Sequence, residues 1–164
     1  MPGAADLPTA STSRKRMVEA IANGTVIDHI PAERTLAVAR LIAHHGDQVF
    51  IGVNLRSSRH GRKGVVKVAN RDLTDRDRDS LALLAGEATI CVIRDYTVAS
   101  KARVPVPARV VGIARCANPN CVTNHERWTT AFTTVAADPL HLRCDYCERP
   151  FAAATLALLD AGTP

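Results

Sequence analysis

The clearest chemistry in this sequence lies in four cysteines near its C-terminal end. Cys116 and Cys121 are separated by four residues, and Cys144 and Cys147 by two. Both spacings let a turn direct two thiolates at one point, and the segment between the pairs is long enough for a hairpin. Four thiolates leave a tetrahedral ion no open position, so we expect one structural zinc ion per chain that cannot activate water.

Other uses of these cysteines stay open at this point. An iron site of the rubredoxin type needs similar ligands, and four buried free thiols need no metal at all. His125 and His141 lie in the same region and could replace a cysteine, but with four thiolates available we expect both at the surface. Cys91 stands apart in an apolar run, where ordinary strand packing is expected.

The segments that must position the four cysteines are short. Residues 126–135 alternate well enough to predict a strand, and the apolar tail from Phe151 is expected to pack back on the module. Such a module has almost no core, so metal binding should supply its folding free energy, on the order of 10 kcal/mol. Pro105 and Pro107 stiffen the segment before it and predict a connector between two domains.

The N-terminal part carries alternating strand and helix patterns. We predict a hairpin of two strands around Asn23-Gly24, and one long strand over residues 88–101. The other predicted elements are a helix from Pro31 to Gly46, strands at 49–55 and 65–70, and a helix capped by Thr74 and closed by Gly86. This order indicates an α+β fold, an antiparallel sheet with two helices on one face (ferredoxin-like), followed by a small β-rich zinc-binding domain. We expect a disordered tail over residues 1–16, a first domain over 17–104 and a zinc domain over 105–164.

Composition and charge restrict the classes of function. A net charge of +5 suits nucleic acid, a nucleotide phosphate or an acidic protein face. Arg62, Lys63, Lys67 and Lys101 form the best candidate for an anion-binding patch, although a solvated basic face is an equal alternative. Neither a long apolar run nor a secretion signal is visible, so we expect a cytoplasmic protein with no membrane segment.

Catalytic signatures are missing from the sequence. It contains no glycine-rich phosphate loop, no GxSxG elbow and no HExxH motif. Asp28-His29 has the chemistry of a general base pair, but a ligand contact or a capping role is at least as fitting before Pro31. We therefore predict a binding and assembly protein, not an enzyme.

A zinc-ribbon protein that binds nucleic acid is the alternative function. It predicts a concentrated positive surface on the ribbon itself. Residues 116–151 contain a balanced set of charges instead: Arg127, Arg143 and Arg149 against Glu126, Asp138, Asp145 and Glu148. This balance favours docking on a protein and no binding to nucleic acid.

Three motifs together resemble one known family. They are VEAIANGTVIDHIP at 18–31, GRKGVVKV at 61–68, and the spaced cysteines with the string Cys-Asp-Tyr-Cys-Glu. They resemble the regulatory chain of aspartate carbamoyltransferase, an enzyme of pyrimidine synthesis, over residues from about 17 to 155. The resemblance implies an N-terminal domain that binds CTP and UTP as inhibitors and ATP as activator. It also implies a zinc domain that docks on the catalytic chain, and regulatory homodimers that bridge two catalytic trimers.

The resemblance also assigns residues to an effector pocket. The residues implied to line the base and sugar are Val18, Glu19, Ala20, Ile21, Val26, Asp28 and His29. Those implied to hold the phosphates are Lys63, Lys67 and Lys101, and Ile93, Tyr96 and Val98 complete the wall. Cys91 stands at a pocket position that is usually Asn in the family, so a thiol replaces an amide that both donates and accepts hydrogen bonds.

Overall fold

The computed structural model describes residues 20–58 and 61–159. Their elements in chain order are β1 (Gly24–Ile30), α1 (Thr35–Ile42), β2 (Val49–Ser57), β3 (Gly61–Ala69), α2 (Asp75–Ala85), β4 (Thr89–Arg94), β5 (Thr97–Arg103), β6 (Arg109–Val111), β7 (Ala131–Ala137), β8 (Leu140–Cys144) and β9 (Pro150–Ala152). Short 3-10 helices lie at Ala32–Arg34, Val122–Asn124 and Ala153–Thr155. No helix in these ranges has the length and apolar character needed to cross a membrane.

The first sheet has the order β2-β3-β1-β4-β5, with every neighbouring pair antiparallel. The helices α1 and α2 cover one face, where Ile27 of β1 packs with Val38 of α1 and Leu81 of α2. These side chains are fully buried. In an antiparallel sheet with one face covered, alternate residues of each strand point into the core in this way. The predicted α+β fold is therefore confirmed, with β5 as an added edge strand.

A capping box begins α2 as the sequence predicts. The Asp77 backbone N–H donates to the Thr74 hydroxyl at 3.1 Å, and the Thr74 N–H donates to the Asp77 carboxylate at 2.9 Å. Two N–H groups that the first helical turn leaves without partners are thereby satisfied. Gly86 takes the C-cap position, so both predicted ends of this helix are confirmed.

The predicted hairpin around Asn23-Gly24 is wrong. Within the described residues, β1 begins at Gly24 and no strand covers residues 20–23. Gly24 has φ +131°, and a Cβ there would lie 2.1 Å from the Val68 carbonyl oxygen of β3. The glycine is needed for close approach of two strands, not for a turn.

The predicted long strand over 88–101 is also wrong, because the chain reverses within it. Asp95 and Tyr96 have φ values of 50° and 61° and join β4 to β5. Two consecutive positive φ angles are the signature of the tight turns that match strand twist. The reversal brings residues 97–103 beside β4 as an edge strand.

Two other boundaries differ from the prediction. A 3-10 turn at Ala32–Arg34 precedes α1, and α1 ends at Ile42, well before Gly46. The strand predicted over 126–135 begins only at Ala131 and runs to Ala137. The predicted disordered tail over residues 1–16 lies outside the described residues.

The second sheet has the order β6-β7-β8-β9 and carries the cysteines. We call residues 109–159 the cysteine unit, and residues 20–58 with 61–104 the N-terminal unit. Leu83 of α2 packs into the core of the cysteine unit, together with Val110 and Phe132. Arg76 of the same helix donates from Nη2 to the Gly112 carbonyl at 2.7 Å. One helix thus contributes to the interiors of both units.

Candidate metal centre and anion-binding face

The four cysteines of the two pairs meet at one point of the cysteine unit. The Sγ atoms of Cys116 and Cys147 lie 3.7 Å apart, and those of Cys121 and Cys144 lie 3.8 Å apart. All four Sγ atoms lie within 4.8 Å of one another. They form the one group of three or more potential metal ligands in residues 20–58 and 61–159.

Backbone and amide hydrogen bonds hold the first pair in place. The Asn124 side chain donates to the carbonyls of Cys116 and Asn118, at 2.9 and 2.8 Å. The Cys121 N–H donates to the Asn118 carbonyl at 3.0 Å and closes the turn. Sequence reasoning missed both asparagines, because an amide that organises a loop has no spacing rule comparable to that of the ligands.

The second pair is held by β8 and the turn that follows. The Cys144 N–H donates to the Arg149 carbonyl at 3.0 Å, and the Glu148 N–H donates back to the Cys144 carbonyl at 2.9 Å. Glu148 has φ 58°, which the tight return of the chain requires. Cys144 therefore ends a strand, and Cys147 lies in the turn before β9.

The surroundings of the thiols affect how readily each one ionises. Burial raises the pKa of Cys116 and Cys144 above the ordinary value. Burial also acts on Cys147, but hydrogen bonds from the Asn118 side chain and the Arg149 N–H outweigh it and lower the pKa to about 7. Burial opposes the ionised form of these thiols, and a bound metal ion stabilises thiolates that lie this close together.

The two histidines of the region lie outside this ligand group. His125 is exposed, with Nε2 2.8 Å from the Pro119 carbonyl oxygen. His141 has Nδ1 3.0 Å from the Pro139 carbonyl oxygen. The ligand group consists of four soft sulfur donors and contains no carboxylate. It therefore suits a tetrahedral transition-metal ion and not a hard, oxygen-binding cation.

The second predicted site lies on the sheet face opposite the helices, which we call the open face. Strand register places Val26 of β1 between Lys67 of β3 and Cys91 of β4. Cys91 in turn pairs with Lys101 of β5. Two of the three predicted lysines, on β3 and on the edge strand β5, therefore lie on one face of the sheet, although they are far apart in sequence.

Small apolar side chains form the floor of the open face. Ile21, Cys91 and Ile93 make a buried cluster against Val26, Phe50 and Ala69. Burial raises the pKa of the Cys91 thiol, an effect that Lys101 opposes and Asp28 reinforces. The thiol is therefore neutral near pH 7. Val98 pairs with Ile93 at the edge of this face.

Asp28 and Lys63 form an ion pair at the other end of the open face. Lys63 Nζ lies 2.7 and 2.9 Å from the two carboxylate oxygens, and the His29 N–H donates to the same carboxylate at 2.7 Å. Burial alone would raise the pKa of Asp28, but these hydrogen bonds and the Lys63 charge hold it below its ordinary value. An ionised carboxylate already bound to a lysine is a structural partner, which argues against Asp28-His29 as a catalytic base pair.

A cavity of about 210 Å³ adjoins this face beside β1. Ala20, Ile21 and the exposed Tyr96, all predicted site residues, lie in its wall. The wall also contains three amide side chains that sequence reasoning missed: Asn23, Gln48 and Asn70. They come from separate loops and strand ends, so no local pattern connects them. Val18 and Glu19 lie outside the described residues.

Comparison with known proteins identifies the family. Residues 16–105 match the description "Aspartate carbamoyltransferase regulatory chain, allosteric domain". Residues 108–156 match "Aspartate carbamoyltransferase regulatory chain, metal binding domain". The chain belongs to the family of aspartate carbamoyltransferase regulatory chains. The resemblance inferred from the sequence motifs is thus confirmed, as is the expectation of a regulatory chain that is not itself an enzyme.

Individual relatives agree with this assignment. The aspartate carbamoyltransferase regulatory chain of Pyrococcus abyssi is 46% identical over 136 residues, which cover 80% of this chain and 90% of the relative. That of Porphyromonas gingivalis is 43% identical over 145 residues, covering 87% and 96%. Such coverage includes both units, and it supports association with an aspartate carbamoyltransferase catalytic chain over the nucleic-acid alternative. The metal-binding description and the cysteine geometry together support a metal ion at the four cysteines.

Proposed function

We propose that this regulatory chain binds CTP and UTP as inhibitors and ATP as activator on the open face, and transmits their effect to catalytic trimers in pyrimidine synthesis. The observation that carries the proposal is the register of β3, β1, β4 and β5. It brings Lys67, Cys91 and Lys101 together beside an amide-lined cavity. Ammonium groups suit triphosphate oxygens, and amides suit the edges of a base.

The roles in this site follow the chemistry of the side chains. Lys63, Lys67 and Lys101 hold the phosphates, and Lys63 exchanges its Asp28 partner for a phosphate oxygen. The base and sugar lie against the remaining residues of the proposed site: Val18, Glu19, Ala20, Ile21, Val26, Asp28, His29, Cys91, Ile93, Tyr96 and Val98. The neutral thiol of Cys91 offers only weak hydrogen bonds, so base selection depends on neighbouring groups.

We propose zinc as the ion of the cysteine unit. A Zn–S distance of about 2.3 Å in a tetrahedron requires sulfurs roughly 3.8 Å apart. The Sγ atoms of Cys116 and Cys147 are 3.7 Å apart, and those of Cys121 and Cys144 are 3.8 Å apart. Zinc held this way has no open position, so its contribution is to fold the unit, with Cys116, Cys121, Cys144 and Cys147 as the ligands. Reduced thiolates also suit a cytoplasmic protein.

Transmission between the sites needs an element shared by both units. The helix α2 has this property, since Leu81 packs under the first sheet while Leu83 packs in the cysteine unit. The bond from Arg76 to the Gly112 carbonyl adds a polar contact across the same boundary. A nucleotide changes activity only if its affinity differs between two arrangements of the assembly. We propose that α2 moves with the first sheet and carries that difference into the cysteine unit.

Exposed apolar side chains support two assembly contacts. The edge strand β2 carries Ile51 and Val53, which are 45% and 41% exposed, and suits a regulatory homodimer. The cysteine unit exposes Trp128, whose ring meets Tyr146 edge to face at 5.5 Å, and suits docking on the catalytic chain. We propose a domain boundary at residues 104 and 105, between the end of β5 and β6.

Calorimetric titration of the metal-loaded chain with CTP, UTP and ATP tests the effector site. Lys101→Gln should weaken triphosphate binding about tenfold or more, because a charge-assisted contact is lost. Arg40→Gln, which removes a charge from the exposed side of α1, is the matched control and should bind normally. Absence of nucleotide binding, or equal loss in both variants, would disprove the effector site.

Reconstitution with a catalytic chain tests the assembly role separately. We expect the wild-type chain to co-purify with catalytic trimers and to make carbamoyltransferase activity responsive to CTP, UTP and ATP. A chain that assembles but leaves activity indifferent to all three would support a scaffold and exclude regulation by these nucleotides. Failure to assemble would exclude both.

A further inference from the structure

A second cavity, of about 250 Å³, lies between the first sheet and α2. It is lined by Thr25, Asp72, Leu73, Arg78, Ile90, Val92 and Arg94. Ile90 and Val92 alternate along β4 with Cys91 and Ile93, which face the other way. The cavity is therefore separated by the thickness of the sheet from the open face and its lysines.

Arg78 in this cavity has an unusual environment. Its Nε atom is buried and has no hydrogen-bond partner, and the side chain forms no ion pair in the part of the chain that the structure describes. Arg71, just before α2, has the partners that a partly buried arginine usually has. Its guanidinium pairs with Asp47 and Asp77 at 3.1 and 3.2 Å. A buried N–H without an acceptor is costly, and such groups in folded proteins commonly have an ion or water as partner.

Arg94 supplies a second, fixed guanidinium to the same cavity. Its Nη2 donates to both carboxylate oxygens of Asp72, at 2.8 and 2.7 Å, and its Nη1 donates to the Ile93 carbonyl at 2.9 Å. These bonds hold the side chain in place and leave its Nε–H without another bond among residues 20–58 and 61–159. Asp72 neutralises one of the two arginines, so one positive charge is left uncompensated.

We propose that Arg78 and Arg94 form a binding site for a free tetrahedral oxyanion of the phosphate type. The guanidinium fork of Arg78 matches two oxygens of such an anion, and the anion would satisfy its buried Nε–H. Leu73, Ile90 and Val92 form an apolar wall beside the two guanidinium groups, and a charge-assisted hydrogen bond is stronger next to such a surface than in open water. The site differs from the proposed nucleotide site in position, in residue type and in its lack of lysine.

Titration of inorganic phosphate into the metal-loaded, ¹⁵N-labelled full chain tests this site, with chloride keeping ionic strength constant. The arginine Nε–H signals report each guanidinium directly, and the signal lost in Arg78→Gln identifies that residue. We expect the Arg78 signal to shift in a saturable way with phosphate and not with chloride. Arg78→Gln should weaken phosphate binding about tenfold or more.

Two control variants separate this site from other sources of phosphate affinity. Arg40→Gln and Lys101→Gln should leave the Arg78 shift and its midpoint unchanged, because neither residue lines the cavity. A phosphate response lost in Lys101→Gln but kept in Arg78→Gln would place the anion on the open face and overturn the proposal. An Arg78 signal that does not respond to phosphate would overturn it as well.

Thermal unfolding gives a second readout that does not depend on signal assignment. A ligand that binds only the folded chain raises the melting temperature with its concentration. We expect phosphate to stabilise wild type and Arg40→Gln more than Arg78→Gln at equal ionic strength. Equal stabilisation of all three proteins would contradict a site at Arg78.

Discussion

The N-terminal unit and the cysteine unit fill their interiors with different groups. Below the first sheet, Ile27, Ile42, Val66 and Leu81 belong to a core built from aliphatic side chains. In the cysteine unit, Cys116, Cys121 and Cys144 are themselves core residues beside Phe132. The N-terminal unit is stabilised by apolar burial, whereas the metal ligands of the cysteine unit take up part of its core. The two units should therefore fail under different conditions.

Removal of the metal is the strongest way to separate the units. Chelation, or Cys144→Ser, should unfold the cysteine unit, because metal binding to such a module contributes on the order of 10 kcal/mol. Trp128, the one tryptophan of the chain, reports this unit by fluorescence. The helices α1 and α2 report the N-terminal unit by far-ultraviolet circular dichroism. Cys91→Ser is the control and should retain the metal. Simultaneous loss of both signals would show that the N-terminal unit cannot stand alone.

Removal of a buried side chain under the first sheet should destabilise the N-terminal unit and leave the metal site intact. Ile27 is fully buried, and Ile27→Ala should lower the free energy of unfolding of the N-terminal unit by roughly 2–5 kcal/mol. Metal content, measured by elemental analysis, should stay at the wild-type level. Ile51→Ala, at a side chain 45% exposed, should change stability by no more than about 0.5 kcal/mol. Loss of metal from the Ile27 variant would indicate that the units fold as one.

Leu83 tests the boundary between the units. It belongs to α2 in the sequence but packs in the cysteine-unit core, where it is 5% exposed. Leu83→Ala should destabilise the cysteine unit by about 2 kcal/mol, seen as an earlier Trp128 transition in urea. Leu84→Ala, which removes a half-buried neighbour that packs on the first core, should shift the helical signal instead. If both variants shifted the same unfolding transition, the assignment of Leu83 and Leu84 to different units would be contradicted.

Removal of the Asp28–Lys63 ion pair should have the smallest effect on the free energy of unfolding, and this effect should depend on pH. The folded pKa of Asp28 lies below the ordinary value, so its ionised form stabilises the fold above about pH 4. That contribution is lost as pH falls through the lowered value. Since the pair is partly exposed, Asp28→Asn should cost about 1 kcal/mol or less at pH 7. Urea unfolding followed by circular dichroism should show a smaller difference between wild type and Asp28→Asn at pH 3 than at pH 7.

Sequence reasoning succeeded where the chemistry is local. The ligand spacing, the Thr74 cap and the runs that form β2 and β3 each lie within a few residues, and all appear in the structure. It failed at Asn23-Gly24, where the glycine allows close approach to the strand that contains Val68, 44 residues further along the chain. It also missed the reversal at Asp95-Tyr96, because neither residue is a glycine and the flanking apolar runs read as one strand.

By itself, the sequence determined which residues can bind a metal, which segments favour helix or strand, and, through its motifs, the family. Tertiary structure alone decided that Lys101 lies beside Cys91, that Arg78 and Arg94 line one cavity, and that Leu83 belongs to the second core. The physical reason is distance along the chain. Propensity and ligand spacing act over a few residues, whereas neighbours in a sheet and partners in a core are selected by the packing of the whole unit.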